Sequence, residues 1–283
     1  MKPGRIDLHV HTTASDGSLS PAEMVREAAE RGISLLGITD HDTTEGIAAA
    51  QAAAREMGIT LVPGVELSAD SEAQDIHLLA YFINPEDPDL QSLLTALRET
   101  RNARNERILE RLRSLGAPVC PERVAQIAGS GSVGRPHIAE ALVEAGHVTS
   151  RNEAFSRYLA RGKPAFVTRA RFTPAEACAL IKRAGGIAVL GHAAKIGSRA
   201  AIEEVLAAGL DGIEVYHTDH TAKDVDMLLA LAREKSLLAT GGTDSHGPHS
   251  DRPLALGSVT VPAWVGEEVL RRAPEWWRRL NRR

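Results

Sequence analysis

The chain of 283 residues contains eleven histidines, several of which stand beside aspartates or beside each other. His9 and His11 form an H-x-H sequence at the end of an apolar run, and Asp16 follows them. Because residues i and i+2 of a strand point to the same side, both imidazoles can reach a single ion. His41 follows a second apolar run in the sequence TDHD. Imidazole and carboxylate groups in this arrangement indicate a divalent metal site.

The same residue types recur at the later apolar runs. Glu66 follows a third run in PGVE, His77 begins a fourth, and His192 ends the run IAVLGH. Asp244 and His246 follow the last run in TGGTDSH. Taken alone, a histidine at a strand end is more often structural than a ligand, and a loop carboxylate is usually a cap or a solvated charge. Their joint recurrence at nearly every run favours a shared site.

Apolar and amphipathic runs alternate along the chain and predict the elements that position these side chains. Strands are predicted at 5–10, 34–39, 59–63, 76–82, 187–190, 212–216 and 237–240. Helices are predicted at 21–31, 44–57, 174–184, 202–208 and 224–234, the first with Ser20 as N-cap and Pro21 at its first position. Nearly unbroken apolar strands in repeated βα units are typical of a parallel sheet covered by helices. Six or seven such units in roughly 215 residues predict a closed α/β barrel.

In a barrel of this kind the candidate ligands converge on one mouth. They are more numerous than one ion needs, so we expect two or three divalent ions with Glu66 as a bridging carboxylate. Imidazole and carboxylate without thiolate suit Mn²⁺, which we expect, with Fe²⁺ and Zn²⁺ as alternatives. The candidate ligands are His9, His11, Asp16, His41, Glu66, His77, His192, Asp244 and His246.

Residues 98–169 interrupt the alternation of strands and helices. They are helix-rich, with a strand expected only at 165–168, and they carry thirteen Lys and Arg residues against seven Glu. This segment is therefore net +6, and the rest of the chain is net −10. We predict a basic helical insertion at 98–169 in an acidic barrel formed by 1–97 and 170–283. We interpret most of the arginines at 101, 104, 107 and 111 as residues on a solvated helix face: Arg101, Arg104, Arg107 and Arg111.

Composition excludes several function classes. With 43% hydrophobic and 25% charged residues, the chain is globular and not disordered. A net charge of −4 and only ten aromatic residues argue against a non-specific nucleic-acid binder. No apolar run reaches the roughly 18 residues of a membrane helix, and the N-terminus lacks a signal core. Cys120 and Cys178 are too isolated for a disulfide framework, so we predict a reduced, cytoplasmic protein without an obligate protein partner.

The motifs resemble those of a known family. HVHTTASDG, GITDHDTTEG, PGVE, VLGH and TGGTDSH, in this order on both sides of the insertion, resemble the PHP (polymerase and histidinol phosphatase) family. A GRPHIA sequence at 134–139 makes the chain similar to the stand-alone metal-dependent phosphoesterases of that family, including 3′,5′-nucleotide bisphosphate phosphatases. The resemblance implies a distorted seven-stranded (β/α) barrel with a trinuclear metal site.

The resemblance also implies how the ligands are shared. One ion would be held by His9, His11, Glu66 and Asp244. A second would be held by Glu66, His77 and His192, and a third by Asp16, His41 and His246. Asp40 is expected to accept a hydrogen bond from a ligating histidine.

Neighbouring ions can share a water, lower its pKa and neutralise the charge that builds on a phosphoryl group. We therefore expect hydroxide to attack phosphorus in line and to release phosphate without a covalent enzyme intermediate. The expected catalytic residues are Glu66, Asp244 and His217. His217 ends the run IEVYH, where it could contact the phosphate, protonate the leaving oxygen or be structural.

Basic residues outside the ligand set are candidates for substrate binding. Arg135 and His137 flank Pro136, and Arg135 either binds phosphate through parallel donors or is a solvated residue at a helix start capped by Ser132. The other candidates are Lys163, Lys195, Arg199 and His217. The resemblance implies a nucleoside 3′,5′-bisphosphate substrate, such as 3′-phosphoadenosine 5′-phosphate. Its 3′-phosphate would be hydrolysed while the insertion holds the 5′-phosphate.

Several alternatives stay open at the level of sequence. Short 5′-phosphorylated oligonucleotides would use the same 5′-phosphate anchor. Histidinol phosphate carries an amine and would favour an acidic pocket over a basic insertion. A metal-dependent amidohydrolase also begins with H-x-H but commonly adds a carboxylated lysine, and no predicted strand ends in lysine. A non-catalytic PHP module that binds nucleic acid would be expected to lack ligands.

Overall fold

The computed structural model describes residues 4–70, 75–129, 133–168, 172–248 and 256–281. The strands are β1 (Arg5–Val10), β2 (Ile33–Ile38), β3 (Thr60–Asp70), β4 (Asp75–Tyr81), β5 (Ile187–Leu190), β6 (Gly212–His217) and β7 (Leu238–Gly242). The helices up to β5 are α1 (Pro21–Glu30), α2 (Ile47–Met57), α3 (Pro88–Ser114), α4 (Pro121–Ala128), α5 (Arg135–Glu144), α6 (Arg151–Ala154) and α7 (Pro174–Arg183). Those after it are α8 (Arg199–Leu206), α9 (Ala222–Glu234), α10 (Ala263–Arg272) and α11 (Glu275–Leu280).

The strands form one sheet in chain order from β1 to β7, and the sheet nearly closes into a barrel. β1, β2 and β3 pair in parallel, as do β5, β6 and β7. Closure occurs just beyond β7, where Val10 forms a parallel bridge with Ser245 and the His11 amide donates to the Ser245 carbonyl at 2.8 Å. The predicted seven-stranded α/β barrel is confirmed.

The prediction of a wholly parallel sheet is wrong at β4. This strand pairs antiparallel with both β3 and β5. The physical reason is the connection, because only residues 71–74 separate β3 from β4, and a parallel crossover needs a dozen residues or more. The reversal brings the start of β4 to the end of the barrel where the parallel strands finish. His77, opposite Ser68 in the register, therefore lies at the mouth although it is near the start of its strand.

Local signals explain where the barrel helices begin and end. Ser20 caps α1 through a reciprocal capping box with Glu23, and Pro21 occupies its first turn as predicted. α2 begins at Ile47, later than the predicted 44, and ends at Gly58. Gly58 has a φ of +71°, a left-handed conformation that glycine adopts without a Cβ penalty.

Residues 88–168, called the helical segment below, lie between β4 and β5 and contain α3 to α6 and a π-helical turn at Phe155–Leu159. The segment has its own apolar core, in which Ile108 of α3 packs with Ile138 and Leu142 of α5. This core is separate from the apolar clusters of the barrel. The long helix α3 begins before the boundary predicted at residue 98, and its first turns pack on the barrel core through Leu90 and Leu94.

The strand predicted at 165–168 is absent from the structure. The carbonyl of Val167 accepts a hydrogen bond from Arg104 Nε at 2.7 Å, and that of Phe166 accepts one from Arg111. Arginine side chains of α3 thus occupy backbone acceptors that a sheet would need, because each carbonyl must find a partner when it leaves water.

The C-terminal helices pack on the outside of the barrel. Trp277 of α11 is buried, lies 5.0 Å from the Phe82 ring in an edge-to-face arrangement, and donates from Nε1 to the Leu61 carbonyl at 3.1 Å. None of the helices in the described ranges has both the length and the apolar character needed to span a membrane.

Candidate metal centre

β1, β3 and the loop after β7 bring four candidate ligands to one point. His9 and His11 are fully buried, and their ring centroids are 5.3 Å apart. Nε2 of His11 lies 3.1 Å from Glu66 Oε2 and 3.2 Å from Asp244 Oδ1. Nε2 of His9 lies 3.3 Å and 3.4 Å from the same two oxygens. Two imidazoles and two carboxylates therefore face each other, which is a donor set suited to a divalent cation.

The two carboxylate oxygens of Glu66 face different histidines. Oε2 lies 3.1 Å from Nδ1 of His41, in addition to its approaches to His9 and His11. Oε1 lies 2.7 Å from Nδ1 of His77 and 3.2 Å from Nε2 of His192. This division suits a carboxylate that bridges two ions. The sequence predicted Glu66 to follow the third strand. In the structure β3 continues to Asp70, and Glu66 lies within it.

A third group of candidate ligands surrounds Asp16. Nε2 of His246 lies 3.3 Å from Asp16 Oδ1, and Nε2 of His41 lies 3.9 Å from Oδ2. The ring of His11 stacks on that of His246 with centroids 4.1 Å apart. The ligand atoms of these four side chains all lie within 4.8 Å of one another. The nine candidate ligands thus form one continuous cluster at the barrel mouth.

The buried polar atoms of the cluster fit metal ions. Among the described residues, both ring nitrogens of His11, Nδ1 of His41 and Oδ1 of Asp16 are buried without a hydrogen-bond partner. Such atoms are rare in folded proteins because leaving them unsatisfied costs free energy. In this cluster imidazole nitrogens and carboxylate oxygens approach one another without hydrogen-bond geometry. Atoms of these types are metal ligands, and a cation bound between them would satisfy them.

The carboxylates of the cluster are held in their ionised form. Burial alone would raise their pKa values, but the neighbouring histidines outweigh it and hold the pKa values of Asp16, Glu66 and Asp244 well below their usual range. Burial lowers the pKa of His41 to about 3 and that of His192 to about 4.

Burial would also lower the pKa values of His9 and His11, but the neighbouring carboxylates outweigh it and raise that of His11 to about 10 and that of His9 well above its usual range. Because a metal ion is ligated by neutral imidazole, a cation bound here would displace the protons of these two rings.

A cavity of about 700 Å³ opens between this cluster and the helical segment. Seven of the nine candidate ligands line it, together with Lys195 from the turn after β5. On the opposite wall, the described residues of the helical segment contribute a set of arginines, called the arginine wall below: Arg101, Arg104, Arg135 and Arg151. One cavity therefore joins the histidine–carboxylate cluster to the arginine wall.

A family model for the PHP domain matches residues 7–154, more than half of the chain. The chain belongs to the PHP family. A 5′-3′ exoribonuclease from Haemophilus influenzae is 35% identical over 269 residues, which cover 92% of this chain and 98% of that protein. A 3′,5′-nucleoside bisphosphate phosphatase from Chromobacterium violaceum is 36% identical over 259 residues, which cover 86% of this chain and 87% of that protein. A solved structure from Bifidobacterium adolescentis, described as a metal-dependent phosphoesterase, superposes with a TM-score of 0.86 at 33% identity and covers 95% of this chain and 96% of that one.

The chain is a hydrolase, a metal-dependent phosphoesterase of the PHP type. The barrel topology and the cluster at its mouth are thus the setting for phosphate ester chemistry, and the arginine wall lines the same cavity.

Two arginines of the wall overturn the prediction of a solvated helix face. Arg101 and Arg104 are only 7% and 4% exposed, whereas Arg107 and Arg111 are exposed as predicted. Residues three apart on a helix share a face, and this face of α3 turns towards the barrel. Arg135, at the start of α5, is part-buried, and its Nη2 donates to Asp75 Oδ2 at 2.9 Å. The suggested cap of that helix, Ser132, lies outside the described residues.

The other predicted substrate-binding residues divide into two groups. Lys195 lines the cavity, with Nζ 3.0 Å from Asp219 Oδ2 and 3.7 Å from Asp244 Oδ2. The residues that do not line it are His137, Lys163, Arg199 and His217. Nδ1 of His137 accepts a hydrogen bond from the Gly134 amide at 3.0 Å. Arg199 is exposed and pairs with Glu203 and Glu234.

The hydrogen bonds of Asp40 differ from the expected contact with a ligating histidine. Its carboxylate accepts from the Thr12 amide at 2.7 Å, from Thr12 Oγ1 at 2.8 Å and from Ser15 Oγ at 2.7 Å. Asp40 therefore fixes the loop that carries Asp16.

Asp7 was not predicted from the sequence to support the site. It accepts hydrogen bonds from the amide and hydroxyl of Thr243 at 2.9 and 2.7 Å and so fixes the loop after β7.

Glu214 is a hydrogen-bond acceptor for His9 that was not predicted from the sequence. It is fully buried on β6, with Oε1 3.1 Å from His9 Nδ1 and Oε2 accepting from the His192 amide at 2.6 Å. The neighbouring histidines outweigh burial and lower its pKa to about 2. An ionised acceptor on Nδ1 leaves Nε2 of His9 free to face the cluster. A charged residue inside the apolar run GIEVYH was the available signal.

Glu214→Gln is expected to weaken binding of divalent metal by about 10- to 100-fold, as loss of an acceptor behind a ligating histidine typically does. Titration calorimetry with Mn²⁺ measures the change directly. Glu204→Gln, on the exposed side of α8, is the matched control and should bind Mn²⁺ as the unmodified protein does. Equal Mn²⁺ affinity in both variants would show that Glu214 does not orient His9.

Proposed function

We propose that this PHP phosphoesterase hydrolyses the 3′-phosphate of nucleoside 3′,5′-bisphosphates to give a 5′-mononucleotide and phosphate. The observation that carries the proposal is the single cavity that joins the histidine–carboxylate cluster to the arginine wall. A substrate that uses both ends must present one phosphate to each. The C. violaceum relative, named for activity on this substrate class, supports the same assignment.

Arg135 is the proposed anchor for the 5′-phosphate. Its guanidinium is held by Asp75 and lies 5.8 Å from the ring centroids of both Phe155 and Phe166. A guanidinium fixed in this way loses little freedom when it binds, and its parallel donors match phosphate geometry. It is also the first residue of α5, where the helix dipole favours an anion.

The cluster is proposed to hold two or three divalent ions, with Mn²⁺ as the expected metal. When bound, such ions supply a water of lowered pKa and neutralise charge on the phosphoryl group. The proposed ligands are His9, His11, Asp16, His41, Glu66, His77, His192, Asp244 and His246. Lys195 lies on the cavity wall beside Asp244 and is proposed to donate to an oxygen of the scissile phosphate.

His217 is proposed to orient Asp244. It is buried, and its Nδ1 accepts a hydrogen bond from the Asp219 amide at 3.0 Å. The neutral ring therefore carries its proton on Nε2, which lies 3.7 Å from Asp244 Oδ2. A residue that acts on the leaving oxygen needs access to the cavity, and His217 does not line it.

Short 5′-phosphorylated oligonucleotides are the second candidate substrate. Because the anchor and the cluster face each other across one cavity, the bond presented to the cluster is the one at the 3′-oxygen of the nucleotide whose 5′-phosphate is held. This geometry would remove nucleotides one at a time from the 5′ end, and the H. influenzae relative is named for that direction. Histidinol phosphate is disfavoured because its amine would face the arginine wall.

Product analysis tests the assignment. The Mn²⁺-loaded protein is incubated with adenosine 3′,5′-bisphosphate, with a 5′-phosphorylated dinucleotide and with histidinol phosphate, and products are separated by ion-exchange chromatography. We expect the bisphosphate to give adenosine 5′-monophosphate. Release of adenosine 3′-monophosphate would reverse the assigned orientation, and turnover of histidinol phosphate alone would overturn the proposal.

A further inference from the structure

Arg101 of α3 reaches from the helical segment into the barrel mouth. Its Nη2 donates to Asp42 Oδ2 and lies 3.3 Å from Ser68 Oγ. Asp42 is 2% exposed and Arg101 is 7% exposed, so this ion pair is shielded from water. A buried charge requires a partner, and removing one member of such a pair leaves the other uncompensated.

Asp42 connects the two chain segments that carry His41 and Glu66. Its amide donates to the Glu66 carbonyl at 3.0 Å, and its Oδ1 accepts from the Ser68 amide at 2.9 Å. His41 and Glu66 themselves form an isolated parallel bridge. Asp42 therefore fastens the loop after β2 to the strand β3 at two points, the Glu66 carbonyl through its amide and the Ser68 amide through its carboxylate.

The backbone at Asp42 needs this support. Its φ is +52°, in the left-handed region that residues other than glycine occupy at an energetic cost. Such a conformation persists only where surrounding contacts determine it. Without the guanidinium, the Asp42 carboxylate would be buried without its cation, and the loop could relax away from Glu66.

We infer that Arg101 is a positioning residue for the metal centre: through Asp42 it holds His41 and Glu66 in the arrangement that binds the ions. The inference rests on the proposed assignment of those two side chains as ligands. It gives the helical segment a role in building the cation site, in addition to the arginine wall it supplies. A barrel whose segment is displaced would then bind metal poorly even with all nine candidate ligands present.

Mn²⁺ titration of the substrate-free, full-length protein tests this inference. Arg101→Met should weaken Mn²⁺ affinity at least tenfold or lower the number of ions bound. Asp42→Asn should do the same. The double variant should be little worse than either single variant, because both break one interaction. Arg107→Met, on the exposed side of the same helix, should bind Mn²⁺ normally. Circular dichroism verifies that each variant is folded.

Arg101 also lines the cavity, so a control must separate positioning from substrate contact. Arg135→Met removes another arginine of the same wall and should leave Mn²⁺ binding unchanged. Unaltered Mn²⁺ number and affinity in Arg101→Met would overturn the inference. If Arg101→Met does not fold, the test uses Arg101→Lys, which keeps a cation at Asp42, together with Asp42→Asn. Normal Mn²⁺ binding by Asp42→Asn would then overturn the inference. The titration contains no substrate. Loss of Mn²⁺ binding therefore supports the positioning role of Arg101 even if the protein does not hydrolyse the bisphosphate.

Discussion

Glu66→Gln is expected to lower kcat/KM by at least about a thousandfold, equivalent to about 4 kcal/mol of transition-state stabilisation. The physical reason is its central place, since the nearest ring nitrogens of five histidines lie between 2.7 and 3.3 Å from its two oxygens. An amide keeps the shape but loses the charge and one acceptor oxygen, so it cannot bridge two cations. The measurement is phosphate release, paired with metal analysis of the purified variant.

Glu56→Gln, on the exposed face of α2, provides a control with the same chemical change and no contact with the cluster. It should retain full activity and the metal content of the unmodified protein. A Glu66→Gln protein that keeps its metal and stays within tenfold of normal kcat/KM would show that Glu66 does not bridge the ions.

Arg135→Met is expected to raise KM for adenosine 3′,5′-bisphosphate by about 10- to 100-fold, because a hydrogen bond to a charged group contributes about 1.5–3 kcal/mol. The loss also removes one of the two arginines that pair with Asp75, the other being Arg161. Adenosine 3′-monophosphate has no 5′-phosphate to anchor, so its kcat/KM should change little. Steady-state kinetics with the two substrates separates an anchor from a residue that merely supports the fold.

Arg113→Met, exposed in the last turn of α3, is the matched control and should leave both substrates unaffected. If Arg135→Met weakens the bisphosphate and the 3′-monophosphate equally, Arg135 contributes to general stability or to the scissile phosphate and does not anchor the 5′-phosphate.

The candidate ligands were readable from the sequence because their positions follow simple geometric rules. His9 and His11 are two apart on one strand, and strand periodicity alone sends both to one side. Asp244 and His246 follow the last strand, where a barrel turns its loops towards the mouth. These rules depend only on local backbone geometry, which is why residue type and spacing were sufficient.

Tertiary relationships were not readable in this way. The direction of β4 depends on which strands it meets, and an apolar run looks the same in either direction. The burial of Arg101 depends on how α3 docks against the barrel, so its charge suggested a solvated surface instead. Glu214 stood in an apolar strand as a single charge, but its partner His9 is 205 positions away in the chain. Contacts of this kind are set by packing across the whole fold.

The most direct measurement compares kcat/KM of the Mn²⁺-loaded protein for adenosine 3′,5′-bisphosphate and for adenosine 3′-monophosphate. Recognition of two phosphates across one cavity predicts that the bisphosphate is preferred by at least about a hundredfold, equivalent to about 2.7 kcal/mol. Equal kcat/KM values for the two substrates would contradict it, because the arginine wall would then contribute nothing to the choice of substrate.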